Sequence, residues 1–103
     1  MIAPPAVARA WKLPGVDLSP RQKRLVYALA VRPGRLMFRD QLIAAIYADR
    51  NPDYWPESQV LNVMVSQVRK KLRPLGVTIS TVWAEGYRLD APQGFVWPWQ
   101  VQS

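Results

Sequence analysis

The chain has 103 residues, half of them hydrophobic, which fits one compact domain around a single core. It contains no cysteine and no histidine, which excludes a disulfide framework, a thiolate zinc site and any Ser-His or Cys-His nucleophile, and removes the commonest general base. Fourteen lysines and arginines against seven carboxylates give a net charge of +7, a balance that favours an anionic partner, with nucleic acid as the default. The carboxylates are scattered, at Asp17, Asp40, Asp49, Asp53, Glu57, Glu85 and Asp90. Asp49 and Asp53 share a loop, but two acids without further ligands make a poor metal site. No enzymatic activity, cofactor or metal is expected. No apolar run approaches the roughly eighteen residues that span a membrane, and the N-terminus lacks the basic-then-apolar order of a signal peptide. A cytoplasmic, nucleoid-associated protein is the expectation.

Residues 1–17 are rich in Ala and Pro and read as an N-terminal arm or short hairpin, with Leu13-Pro14-Gly15-Val16 suited to a type II turn because glycine tolerates the positive φ. The first helix begins after Ser19, a good N-cap, with Pro20 at the first helical position and Gln22 placed to complete a capping box. Leu25, Val26, Ala28 and Leu29 form its apolar stripe, and Arg32-Pro33-Gly34 stops it. Leu36-Met37-Phe38 bridges to a second helix over about Arg39 to Tyr47, buried through Leu42, Ile43 and Ile46. Ala48 to Pro56 is a loop carrying Tyr54 and Trp55, which either pack back on the core or face a partner.

A third helix runs from about Glu57 to Leu72. Leu61, Val65, Val68 and Leu72 give a core stripe, and the opposite face carries Gln59, Val63, Ser66, Gln67 and Lys70, flanked by Asn62 and Arg69. The run Arg69-Lys70-Lys71 with Arg73 complements the helix dipole and also supplies cations for an anionic ligand. Pro74 and Gly76 end the helix. Val77 to Val82 is strand-like, with a slip in its alternation between Ile79 and Val82 that predicts a bulge or two short pieces. Gly86 is read as the turn residue, with Tyr87 and Leu89 returning on the inner face and Arg88 outside. The tail holds Phe95, Trp97 and Trp99 in five residues around Pro98. It predicts an extended segment that either lies across an open hydrophobic edge or docks on another chain.

These pieces resemble a known family. Ser19-Pro20-Arg21-Gln22, Arg32-Pro33-Gly34-Arg35, Arg39-Asp40-Gln41-Leu42, Val63 to Leu72, and Ile79 to Val82 with Gly86-Tyr87-Arg88-Leu89 stand in the order and spacing of the OmpR/PhoB-type winged-helix DNA-binding domain. The match covers about Leu18 to Leu89. The resemblance implies an α+β winged helix-turn-helix: three helices followed by a C-terminal β-hairpin wing, with a truncated N-terminal β element. The domain boundaries expected are an arm over 1–17, the winged helix over 18–90 and an aromatic extension over 91–103.

The resemblance also implies a sequence-specific, double-stranded DNA-binding transcription regulator of a bacterial or phage kind, with helix 57–72 in the major groove and wing 77–89 near the minor groove. In that family Val63 matches an apolar contact to a thymine methyl, Ser66 and Gln67 face base edges or phosphates, and Arg69, Lys70 and Thr81 approach phosphate. Gln59, Asn62, Arg73, Trp83 and Arg88 complete the expected DNA-facing set. Glutamine can pair with adenine, and lysine and arginine neutralise phosphates. The chain departs from the family where Arg is frequent and it has Gln67 and Trp83, where His is frequent and it has Met64, and where Gly is usual and it has Ala84. Trp83 packs inward, faces a partner or wedges against sugars or a base step.

The loop with Tyr54 and Trp55 is the family's place of contact with RNA polymerase, and the tail (Phe95, Trp97, Trp99) is a candidate contact in a homodimer on direct repeats. A stand-alone regulator without a receiver domain is expected, so aspartyl phosphorylation is not the expected switch. The alternative is a winged-helix interaction module that binds RNA polymerase or another regulator, with DNA binding secondary or lost.

Overall fold

A computed structural model describes residues 11–83 and 85–100. Helix α1 spans Pro20–Ala30 and starts as its local sequence dictates. The Gln22 amide donates to Ser19 Oγ at 3.2 Å and the Ser19 amide donates to Gln22 Oε1 at 3.0 Å, a reciprocal capping box. Gln22 is buried, and its side chain goes on to bind the third helix, so one residue both starts α1 and docks it.

Strand β1, Met37–Phe38, leads directly into α2, Arg39–Ile46. Phe38 has no side chain able to cap α2, and its own amide donates to Gln41 Oε1 at 3.0 Å. The far end of α2 is closed by α1. Arg21 and Arg24 each donate through Nη1 to the Ile46 carbonyl, at 2.9 and 3.0 Å, and both bind Asp49. A 3-10 turn at Pro52–Tyr54, opened by Asn51 Oδ1 accepting from the Asp53 amide at 3.0 Å, carries the chain to α3, Ser58–Leu72. Leu61, Val65, Val68 and Leu72 are buried as the stripe predicts. A second 3-10 turn, Arg73–Leu75, and a left-handed Gly76 at φ 77° reverse the chain into strands β2, Thr78–Val82, and β3, Gly86–Asp90.

The sheet corrects the sequence reading in three ways. The hairpin of β2 and β3 forms as expected but gains a third strand: β1 pairs with β3, Met37 against Tyr87 and Phe38 against Gly86, giving an antiparallel order β1-β3-β2. The expected bulge is absent. Register runs unbroken from Thr78↔Asp90 to Val82↔Gly86, so Ile79 and Thr81 share the inner face with Leu89 and Tyr87, and Val82 belongs with Ser80 on the outer face. Its hydrophobicity is tolerated at the strand end, where it is half-buried. Gly86 is not the turn residue. A Cβ there would lie 2.0 Å from the Met37 carbonyl oxygen, so glycine is what lets β1 approach β3.

The core joins Leu25, Val26 and Leu29 of α1 to Leu42 and Ile46 of α2, the α3 stripe, and Ile79 and Leu89 of the sheet. Ahead of α1, Leu13 and Val16 form a single antiparallel bridge around Gly15 at φ 78°, as the Pro-Gly turn predicts. The tail turns back through a 3-10 turn at Pro98–Gln100 and is not extended. Trp97 is 3% exposed and stacks on Trp99 with ring centroids 5.1 Å apart. Trp99 meets Trp11 and Tyr27 edge-on at 4.9 and 4.8 Å, and Phe95 meets Trp97 at 4.7 Å. These rings pack on one another, Trp97 buried and Phe95 and Trp99 half-buried, which supports the tail as a cover over a hydrophobic edge.

Candidate nucleic-acid interface

Helix α3 buries one stripe and turns the other to solvent. Gln59, Val63, Ser66 and Lys70 recur at i, i+4, i+7 and i+11 and are exposed, and Arg73 continues that face into the following turn. Among the described residues, none of Gln59, Ser66, Lys70 and Arg73 forms a side-chain hydrogen bond, so their polar atoms are available to a ligand. Val63 is 59% exposed in the middle of this face.

The flanks of the helix are engaged differently. Asn62 Oδ1 accepts from Arg39 Nη1 at 2.8 Å and from the Tyr87 hydroxyl, so both its lone pairs are taken and its NH2 is the group left to meet a base edge. Gln67 Oε1 accepts from Gln22 Nε2 at 3.3 Å, which ties it to α1 while leaving its NH2 and one lone pair. Arg69 does not stand out toward solvent. Its Nε donates to the Ile79 carbonyl at 2.8 Å and its Nη2 to Thr81 Oγ1 at 3.3 Å, so it clamps α3 to β2, and Thr81 faces the helix. Lys71 donates to the Asp17 carbonyl at 2.6 Å and to Gln22 Oε1 at 2.9 Å. Of the basic run, Arg69 and Lys71 therefore hold the fold together and Lys70 and Arg73 face outward.

The wing tip is set against the N-terminal half of α3. The Glu85 amide donates to the Val82 carbonyl at 2.9 Å to close the turn, and the Arg39 amide donates to the Glu85 carbonyl at 3.1 Å. Arg39 thus joins the wing tip to Asn62, with its guanidinium 5.4 Å from the centre of the Tyr87 ring. Sequence reasoning missed Arg39 because its role depends on β1, a strand of two residues with no pattern of its own. Trp83 is 89% exposed, which removes the inward-packing alternative. Arg88 lies on the opposite sheet face, paired with Asp90 at 3.1 Å, away from α3. Across the molecule, Tyr54 is 73% exposed, whereas Trp55 is half-buried and anchored by its Nε1 donating to the Arg50 carbonyl at 3.1 Å.

Asp49 lies near the start of that loop. The Arg21 guanidinium bonded to it, helped by Arg24, holds its carboxyl at about 2, below the usual 3.8. No cluster of metal-ligating side chains occurs among the described residues, and no helix among them is long and apolar enough to cross a membrane.

Three helices, the third with an open polar face, closed by a hairpin locked against that helix, define a winged helix-turn-helix domain. The family described as "Transcriptional regulatory protein, C terminal" matches residues 14–89, and the chain belongs to it; the OmpR/PhoB-type resemblance seen in the sequence is the same family. The chain is 36% identical over 81 residues to the transcriptional regulatory protein AfsQ1 of Streptomyces coelicolor, a match covering 76% of this chain and 35% of that protein. It therefore spans about a third of the length of the curated relatives it matches. Its fold is similar to the C-terminal domain of the lantibiotic response regulator NsrR (TM-score 0.62, 29% identity, 76% of this chain and 78% of that one). It is also similar to the DNA-binding domain of the response regulator AdeR, solved in complex with an intercistronic region (TM-score 0.61, 25% identity, 75% and 78% covered).

Proposed function

We propose that this chain is the DNA-reading part of a transcription regulator: α3 enters the major groove of a double-stranded operator and the wing reaches the adjoining minor groove. The observation that carries the reading is the face of α3 from Gln59 to Arg73. It is exposed, polar around a single apolar Val63, and free of internal hydrogen bonds on a helix otherwise fixed by its core stripe. A rigid helix with open donors is what base readout needs. Val63 meets a thymine methyl, Ser66 and Gln59 reach base edges, and Lys70 and Arg73 neutralise phosphates.

Asn62 has a narrower role than its residue type implies. With Oδ1 occupied it acts as a donor only, toward acceptors such as guanine O6 and N7, thymine O4 or adenine N7. Arg69 and Thr81 act by positioning the wing.

Fluorescence anisotropy on random-sequence duplexes tests the reading. Binding should be measurable at about 50 mM salt and fall steeply by about 200 mM through counterion release. Absence of binding at the lower salt would overturn it. A second reading, contact with RNA polymerase, has its own support in Tyr54, which the Pro52–Tyr54 turn holds out into solvent while Trp55 anchors the loop. Pull-down with polymerase should lose recovery in Tyr54→Ala; equal recovery would clear the loop. Pairing of two copies on direct repeats belongs to the same proposal and is read by stoichiometry on a selected operator.

A further inference from the structure

Trp83 combines two costs that the isolated chain has no reason to bear. Among the described residues it is the most exposed large hydrophobic, at 89%, and its φ of +50° is the single positive value at a non-glycine. A glycine would relieve both the exposure and the left-handed backbone. Such outliers persist where a partner uses them.

The turn that carries Trp83 is held in place. It is closed by the Glu85–Val82 hydrogen bond and tied through Arg39 to Asn62, next to the reading face of α3. The described residues of the turn itself, Trp83 and Glu85, include no cation, and Glu85 is an exposed acid two positions after Trp83. The turn's own side chains therefore offer phosphate no positive charge, and what they expose is the indole.

Building on the DNA-binding reading above, we propose that Trp83 is an apolar minor-groove wedge. The indole enters the groove beside the one that α3 fills, lies against deoxyribose and partly unstacks a base step, and so kinks the duplex. Because the contact is made by a ring, its contribution to affinity does not vary with salt, unlike those of Lys70 and Arg73.

The test uses a duplex recovered by the wild-type chain from a random pool and labelled at both ends. Wild type, Trp83→Ala and Trp83→Gly are compared by anisotropy at two salt concentrations, by energy transfer between the duplex ends, and by thermal melting. Both variants should bind about tenfold more weakly, the scale of one lost aromatic contact on a base. Their salt dependence should be unchanged and their bound duplex straighter. Trp83→Gly should melt at or above the wild-type temperature, which separates lost contact from lost fold. Wild-type affinity in both variants overturns the assignment and leaves Trp83 to a protein partner. Weaker binding with an unchanged end-to-end distance overturns the wedge. A wild-type chain that recovers no duplex at all overturns the DNA-binding reading, and this assignment with it.

Discussion

The aromatic seam at the C-terminal tail and the wing tip are both built on tryptophan, yet the two regions have opposite fates. Trp97 is buried, stacked on Trp99 and met edge-on by Phe95. Trp83 has a strained backbone and an open ring. The same division runs through α3, where Arg69 and Lys71 bind backbone carbonyls while Lys70 and Arg73 meet only solvent. Residue type does not separate structural from functional roles in this chain; what separates them is whether the fold itself supplies a partner. Closed residues should therefore act on stability, and open ones on binding.

The largest expected effect tests the closed side. Trp97→Ala should cost about 3–5 kcal/mol of stability, the usual range for an emptied aromatic site, read by urea unfolding. DNA affinity measured on the fraction that remains folded should be unchanged. A loss of affinity without a loss of stability would place the seam at an interface and break the division. Trp83→Ala should do the reverse.

Next comes the pair of neighbouring cations. Arg69→Ala removes two charge-assisted hydrogen bonds between α3 and β2 and should destabilise by about 1–3 kcal/mol. It should also raise hydrogen exchange at the amides of β2, because the wing loses its clamp. Lys70→Ala should change stability by no more than about 0.5 kcal/mol, weaken binding to all sequences alike, and lower the salt slope by about one. If both variants behaved alike, the inward and outward assignments of the basic run would be wrong.

Much of this is legible in the sequence. The Ser19-Pro20-Gln22 start of α1 and the apolar stripe of α3 are local signals, with partners within a turn or two, and the structure repeats them. What the sequence left obscure depends on distant pairing. Strand β1 is two residues long and is defined by β3, about fifty positions on, so Met37-Phe38 reads as linker. Gly86 reads as a turn because nothing nearby reveals that the Met37 carbonyl occupies the space of its Cβ. Arg69 and Lys70 are adjacent in sequence but about 100° apart around the helix, and only the position of the Ile79 carbonyl decides which one turns inward. The candidate site was thus readable as a face, while the division of labour within it was not.

The smallest expected effect comes from a carboxylate that is partly open to solvent and yet has partners. Asp49 binds Arg21 and Arg24 and keeps those arginines over the end of α2, where both also donate to the Ile46 carbonyl. Its carboxyl is held at about 2, chiefly by the hydrogen bond from Arg21, against 3.8 without partners. The folded state therefore favours the ionised form. The stabilisation this gives is fully present above about pH 4 and is lost as pH falls through 2. Asp49→Asn should lower stability near neutral pH and flatten the acid limb of the stability curve between pH 4 and 2, so that variant and wild type converge in strong acid. The difference should be small, because exposed ion pairs are screened by water and salt. Equal slopes on the two acid limbs would show that Asp49 belongs with the open residues, and that the loop presenting Tyr54 is held by Trp55 and Asn51 alone.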